Sequence, residues 1–418
     1  ASKNQKVTLP DVPKVKGYTN LGWTTEKGET ELEYSAGDTV KITKATQFYA
    51  VRRKSNYYTV SYYLGNGSTN AAYQKLTQTV EEGTVVIFAK VPARTGYVNQ
   101  GWSSKKNSEK ATAKAKCTVN KNITLYAVQK KAVQLTFHRC DGSTWQKTTL
   151  AKGSSYSLPG VRDAEGYTFM GWSTKPMQSV SPQYEAEEKI TVNGNVDLYA
   201  VVFNRTTETD LTEDQLPQVD IYKYKQVIFV GDSRTEFMEN VLTGMGESAT
   251  KNVKFVCSAG KGLDWFTTTG WAQLYSIVQH DSNSILSKKT AVIFNFGVND
   301  LSKSADYAEY YNWIAPQLKS KGCELYFMSV NPVNRLMLPN AGRADRSEAA
   351  VRSFNQYMKA NLSSAYTYID MYSYLKSTGY SFASDHYGTG TVDDGLHYTT
   401  RTYKRIFAKC MDSLRVPA

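Results

Sequence analysis

Cysteine is scarce in this chain and poorly spaced for structural chemistry. The five residues are Cys117, Cys140, Cys257, Cys323 and Cys410, and no two form a Cys-x-x-Cys pair. That spacing argues against a structural zinc site, and the odd number argues against a disulfide framework. Cys257 and Cys323 fall in apolar, strand-like runs and read as buried hydrophobes. A bridge between Cys117 and Cys140 is left open. No apolar run approaches the ~18 residues that a bilayer span requires, so no transmembrane segment is expected. His-Glu-x-x-His and phosphate-binding glycine loops are absent, which leaves no signal for a zinc protease or a nucleotide triphosphatase. The lack of a Gly-x-Ser-x-Gly elbow disfavours the α/β-hydrolase fold. The chain opens at Ala1 without a signal-peptide pattern, which fits a mature or trimmed form and equally a cloning choice.

What is present divides into two halves. At 418 residues the chain is too long for one compact core. Its net charge of +12 is uneven. Residues 1–204 carry 27 Lys and Arg against 16 Asp and Glu, whereas residues 205–418 carry 23 against 22. The basic excess therefore belongs to the N-terminal half, concentrated in stretches such as Lys105–Lys116. A solvated surface accounts for it, and so does adhesion to an anionic polymer such as a wall teichoic acid. Adhesion of that kind would weaken with salt. No recognition helix or aromatic-and-basic groove is visible, so no nucleic-acid partner is expected.

The N-terminal half also repeats. Gly17-Tyr18-Thr19-Asn20-Leu21-Gly22-Trp23 recurs as Gly96-Tyr97-Val98-Asn99-Gln100-Gly101-Trp102 and as Gly166-Tyr167-Thr168-Phe169-Met170-Gly171-Trp172. Each copy closes on a short strand: Phe48-Tyr49-Ala50, Leu125-Tyr126-Ala127 or Leu198-Tyr199-Ala200. The second and third open with alternating strands, Tyr58–Tyr63 and Val133–His138, while the first looks truncated. A period of roughly 70–80 residues describes a string of small domains rather than a solenoid. Trp23, Trp102 and Trp172 read as core or turn-packing residues, with Gly22, Gly101 and Gly171 allowing a tight backbone beside each indole. The pattern resembles the Listeria–Bacteroides (internalin B-type) repeat. That resemblance implies β-rich, β-grasp-like units outside the cell, serving as spacers or binding modules. The reading gives repeats over 1–52, 53–130 and 131–204, then a linker over 205–222, signalled by the polar, proline-containing stretch Asn204–Asp220 that overlaps it.

From residue 223 to 418 the period changes. Apolar strands are expected at Gln226–Val230, Val253–Cys257, Ala291–Phe296, Glu324–Ser329 and Thr367–Asp370, with helices between them, including Tyr307–Lys319 and Arg346–Leu362. Near-continuous apolar strands separated by helices indicate a doubly wound parallel sheet. Three motifs follow its strands: Gly231-Asp232-Ser233, Gly297-Val298-Asn299-Asp300 and Asp394-Gly395-Leu396-His397. Ser233 follows the first strand, Gly260 the second and Asn299 the third. Asp394 and His397 are expected on a long loop after the fifth. All therefore come from the carboxyl edge of the sheet, where such folds place their ligand crevice.

The residue types match acyl transfer. Ser233 is the candidate nucleophile, His397 its base, and Asp394 the carboxylate that fixes the imidazole tautomer. The backbone N–H groups of Ser233 and Gly260 and the Asn299 amide would bind the oxyanion. Asp300 reads as a cap or loop brace. His386, beside Asp385, reads as a surface residue, and His138 and His280 are not favoured. The motif set resembles the SGNH (GDSL-type) hydrolase family, which implies a flavodoxin-like sheet and esterase or acyltransferase activity with no metal or cofactor. The Gly-rich second block, Val256–Gly262, matches least well. Arg234 stands where many members carry leucine and is either an anchor or a contact for an anionic substrate. The resulting expectation is an exported esterase, extracellular or on the wall of a Gram-positive bacterium, that removes acyl groups, most plausibly acetyl, from a polysaccharide or wall glycan. An O-acetyltransferase acting on a wall glycan and an adhesin with an inactive hydrolase-like domain are the alternatives.

Overall fold

The computed structural model describes residues 4–220, 223–281, 289–384 and 393–414. It divides into two compact units: residues 1–133 with 149–152, and residues 134–148 with 153–418.

Within the first unit, the first repeat pairs Tyr18–Thr24 antiparallel with Tyr49–Lys54, and Lys6–Thr8 with Thr39–Lys41. The second repeat surrounds Tyr57–Tyr63, which pairs antiparallel with Gln78–Glu81. Its core contains Val60, Tyr62, Tyr73, Trp102 and Leu125. In the second unit the third repeat uses the same plan, Tyr167–Ser173 running antiparallel to Val196–Asn204. Strand Ile123–His138 carries both the ending of the second copy and the opening of the third, where two separate strands were expected.

Each repeat tryptophan has an equivalent partner, a carbonyl 13 residues earlier in the chain. Trp23, Trp102 and Trp172 donate their indole N–H to the carbonyls of Pro10, Ala89 and Pro159, at 2.8, 2.6 and 2.8 Å. Trp102 and Trp172 are buried, while Trp23 is only partly covered. One residue bulges out of register just before each signature glycine. Gly22, Gly101 and Gly171 take φ of 151°, 123° and 142°, a region that L side chains avoid.

Over residues 223–418 the strands are β1 (Tyr224–Gly231), β2 (Val253–Cys257), β3 (Lys289–Asn295), β4 (Cys323–Met328) and β5 (Tyr366–Ile369). They form one parallel sheet in the order β2-β1-β3-β4-β5, the flavodoxin-like winding. Alternate residues feed two cores. Ile228, Val230, Val292 and Phe294 face α2 (Trp271–Asp281), α3 (Ser304–Ser320) and α4 (Glu348–Asn361). Val227, Phe229, Ala291 and Ile293 face α1 (Ser233–Met245), α5 (Met371–Thr378) and α6 (Thr400–Ser413). Burial on both faces explains why these strands read as continuous apolar runs.

Three expectations change. Asp394 and His397 lie on a short strand, β7 (Asp393–Tyr398), paired with β6 (Phe382–Ser384), rather than on a loop. The pairing draws on residues of mixed polarity, so no apolar run announces it. Residues 204–220, expected as a linker, are packed. Glu208 is buried against Arg405, Ser381 and Thr402, and Leu216 and Val219 enter the second core. Their charges resemble solvated ones in the sequence because the cations that pair with them, Lys404 and Arg405, lie some two hundred residues further on. Finally, none of the five cysteines is in a disulfide, so Cys117 and Cys140 do not bridge. Cys323 is buried as expected, but Cys257 is only half-buried, and its thiol donates to Glu239 at 3.2 Å.

Candidate active site

The site begins with a steric requirement at the end of β1. A Cβ on Gly231 would stand 2.0 Å from the Thr235 hydroxyl and 2.9 Å from the Asn295 carbonyl, so only glycine lets the chain turn there into α1. Asp232 caps that helix, accepting the Arg234 N–H at 3.0 Å. Its burial pushes the carboxyl up to about 6. Ser233 is thereby fixed as the first residue of α1, 5% exposed, at the positive end of the helix.

Ser233, His397 and Asp394 form one hydrogen-bonded chain. His397 Nε2 lies 2.9 Å from Ser233 Oγ, and His397 Nδ1 lies 2.5 Å from Asp394 Oδ2. The other carboxylate oxygen, Oδ1, accepts the backbone N–H groups of Leu396 and His397 at 2.8 and 2.7 Å. Burial alone would raise the Asp394 pKa, but the His397 contact and these two N–H groups outweigh it and hold the carboxyl below its ordinary value. For His397, burial dominates and lowers the pKa; Asp394 opposes the shift, while Arg234 and Arg343 add to it. An ionised Asp394 keeps the imidazole proton on Nδ1, leaving Nε2 to accept the serine proton. The Phe237 ring meets the imidazole edge-on at 4.5 Å and closes one side.

The two other motif residues lie on neighbouring loops of the same sheet edge. The β2 loop is tied to β1 by Ser258 N–H donating to the Gly231 carbonyl, and to α1 by Ala259 N–H donating to Glu236. Gly260 is exposed on that loop. Asn299 donates its Nδ2 to the Lys261 carbonyl at 2.8 Å, and Asp300 accepts the Leu263 N–H at 2.9 Å and the Tyr307 hydroxyl at 2.8 Å. Asp300 thus braces the two loops. An amide nitrogen has two N–H groups, so the Lys261 contact still leaves Asn299 a second donor.

Arg234 is turned inward. It is 2% exposed, and its guanidinium donates to the carbonyls of Leu396, Asn331 and Pro332 at 3.0, 2.9 and 2.9 Å. Of its two sequence readings, anchor and substrate contact, the geometry favours the anchor. His138 pairs instead with Asp197 and stacks on Tyr199, in the third repeat. Asp385 and His386 lie outside the described residues.

Sequence reasoning missed two arginines. Arg346 donates to the Val298 carbonyl at 2.7 Å and to Asn299 Oδ1 at 2.8 Å, which fixes the Asn299 amide so that its nitrogen faces away from the guanidinium. Arg343 reaches Asp394 Oδ2 at 3.4 Å. The only hint of either was a basic stretch ahead of α4, with no spacing rule to mark it. A cleft of about 410 Å3 lies beside Asn299, lined also by Asp300, Ser302, Arg335, Asp345 and Arg346.

Comparison with known proteins finds two families in the chain. Residues 1–51, 58–128 and 134–201 match the Listeria-Bacteroides repeat domain, and residues 227–410 match the GDSL-like Lipase/Acylhydrolase family. A protein of Evansella cellulosilytica, named for glycine richness and a membrane location, is 27% identical over 186 residues. The match covers 44% of this chain and 20% of the relative, so the chain spans about a fifth of that protein's length. Among solved structures, an SGNH hydrolase from Slackia heliotrinireducens is similar at 13% identity and a TM-score of 0.34, covering 46% of this chain and 100% of that one. An acetyl xylan esterase, AlAXEase, is similar at 12% identity and a TM-score of 0.30, with 46% and 100% covered. The fold rests on the sheet order and the family match. Among the described residues, no helix is long and apolar enough to cross a membrane.

Proposed function

We propose that this chain, which joins three Listeria–Bacteroides repeats to a GDSL/SGNH hydrolase domain, is a surface-located serine esterase that removes short acyl groups, above all acetyl, from a polysaccharide or wall glycan. The observation that carries the reading is the continuous Asp394–His397–Ser233 hydrogen-bonded chain at the carboxyl edge of the sheet. Ser233 Oγ attacks the ester carbonyl while His397 Nε2 takes its proton. The tetrahedral oxyanion is met by the N–H groups of Ser233 and Gly260 and by the Asn299 amide. Collapse expels the sugar hydroxyl, which recovers the proton from His397, and leaves an acyl group on Ser233. Water, deprotonated by the same imidazole, then releases the acid.

Support for a hydroxyl-rich alcohol comes from the cleft beside Asn299, where the charged and polar side chains of Asp300, Ser302, Asp345 and Arg346 could bond to hydroxyls alongside the apolar Val298, Leu301, Ala344 and Ala350. The repeats and the positive charge of residues 1–204 support retention at an anionic surface outside the cell. Acetate release from an acetylated glycan, compared with hydrolysis of aryl esters of increasing chain length, tests the substrate. Activity that grows with acyl length, with no acetate released from the glycan, removes the carbohydrate assignment.

The electrostatics predict the pH dependence. Only the neutral imidazole accepts the serine proton, and burial lowers the His397 pKa below its ordinary 6.5. The base form therefore persists as the pH falls, and the acid limb of kcat/KM for an uncharged ester has its midpoint below pH 6.5. A midpoint above that value contradicts the assignment of His397 as the base.

A further inference from the structure

The third repeat differs from the other two at the surface it presents to the catalytic half. Corresponding backbone bonds align the three copies: Tyr18, Tyr97 and Tyr167 donate to Val15, Arg94 and Ala164, and Ser55, Ala132 and Arg205 donate to Gly17, Gly96 and Gly166. In this alignment Asp163 replaces Lys14 and Ala93, and Arg205 replaces Ser55 and Ala132. The bulged residue of the signature changes as well. Leu21 and Gln100 are exposed, whereas Met170 is fully buried in the core that also holds Phe229 and Tyr380.

Asp163 and Arg205 converge on β7, the strand that carries Asp394 and His397. Arg205 bridges two carboxylates, Asp163 Oδ2 at 2.8 Å and Asp393 Oδ2 at 2.6 Å, and its Nε donates to the Thr168 hydroxyl at 2.9 Å. Asp393 immediately precedes Asp394. Asp163 Oδ1 accepts Asn334 Nδ2 at 2.8 Å, and that same amide donates to the Val161 carbonyl at 3.1 Å. The Asn334 backbone N–H donates in turn to the Gly395 carbonyl at 2.9 Å. The repeat therefore grips β7 on both sides of Asp394. Asp163 has no exposed side-chain surface, and burial pushes its carboxyl up to about 6 in spite of Arg205, so it is ionised at neutral pH.

We propose that the third repeat is a positioning element of the esterase, with Asp163, Arg205 and Asn334 holding the Asp394–His397 segment in register with Ser233. The proposal rests on the esterase reading for its kinetic consequence, although not for its structural one. A second contact supplies the control. Glu185 of the same repeat pairs with Lys376 of α5 at 2.9 Å, away from β7.

The experiment compares Arg205→Met and Asn334→Ala with Glu185→Gln in the full chain, following hydrogen exchange at the amides of residues 393–398, the melting temperature, and kcat and KM for an aryl acetate. Both brace variants are expected to exchange faster at those amides and to lose about 10- to 100-fold in kcat with KM little changed, the signature of a misplaced catalytic group. Arg205→Lys, which keeps one of the two ion pairs, recovers part of both losses. Glu185→Gln is expected to lower the melting temperature as the brace variants do, yet to keep the wild-type exchange and kcat. Unchanged exchange in the brace variants overturns the proposal, as does an equal loss of kcat in Glu185→Gln. Because exchange is read without turnover, wild-type protein that hydrolyses no ester would sink the esterase reading, while the exchange comparison would still decide whether the repeat holds the strand.

Discussion

Replacing Ser233 with alanine is expected to lower hydrolysis of an aryl acetate by a factor on the order of 10^4–10^6 in kcat, with KM little changed. The reason is covalent. Ser233 Oγ lies within hydrogen-bond distance of the candidate base, 2.9 Å from His397 Nε2. Without it, a water molecule must attack directly and no acyl-enzyme forms. Residual rate would come from the oxyanion donors, which the substitution leaves in place. The fold should tolerate the change. Asp232, not Ser233, caps α1, and the substitution removes only a hydroxyl. Equal rates for variant and wild type would remove the nucleophile assignment.

The second large effect is expected from Asp394→Asn, a loss of about 10^4 in kcat with the geometry nearly intact. The carboxylate accepts four contacts: Oδ1 takes two backbone N–H groups, and Oδ2 takes the imidazole Nδ1–H and Arg343. The amide can keep Oδ1 as an acceptor toward the backbone. Its NH2 then faces Nδ1 and Arg343, where acceptors are now required. The imidazole responds by moving its proton to Nε2, the atom that should receive the serine proton. The removal of a negative charge also lowers the His397 pKa further, since Asp394 is the group that opposes its depression. The activity lost by Asp394→Asn should therefore not be recovered by raising the pH. A variant that retains most of its activity would show that Asp394 does not set the tautomer.

Much of this was legible from residues alone, for identifiable reasons. The strands of the parallel sheet stand within about two residues of their expected limits because burial on both faces leaves an unbroken apolar signature. The candidate edge could be chosen because the Ser233 and Asn299 motifs each follow a strand of the sheet, whereas the Asp394–His397 motif lies on β7 itself. The features that escaped are those carried by polar residues distant in sequence. Glu208 looked like linker until Arg405 was placed beside it, and Arg346 had no motif to tie it to Asn299. The third repeat matched its two siblings at the Gly-Tyr and Gly-Trp positions, yet its distinguishing residues, Asp163 and Arg205, acquire meaning only next to Asp393 and Asn334. Hydrophobic periodicity reports the layer in which a residue lies. It does not report which buried charges will meet.

The central claim is that an acyl group passes through the hydroxyl of Ser233, and intact-protein mass spectrometry after brief exposure to an aryl acetate at acid pH, where deacylation is slow, reads it directly. The account predicts one added acetyl group on wild-type protein, localised by peptide mapping to Ser233 and missing from Ser233→Ala. An acetyl group located on another residue, or hydrolysis that proceeds at the wild-type rate with Ser233 removed, would contradict it.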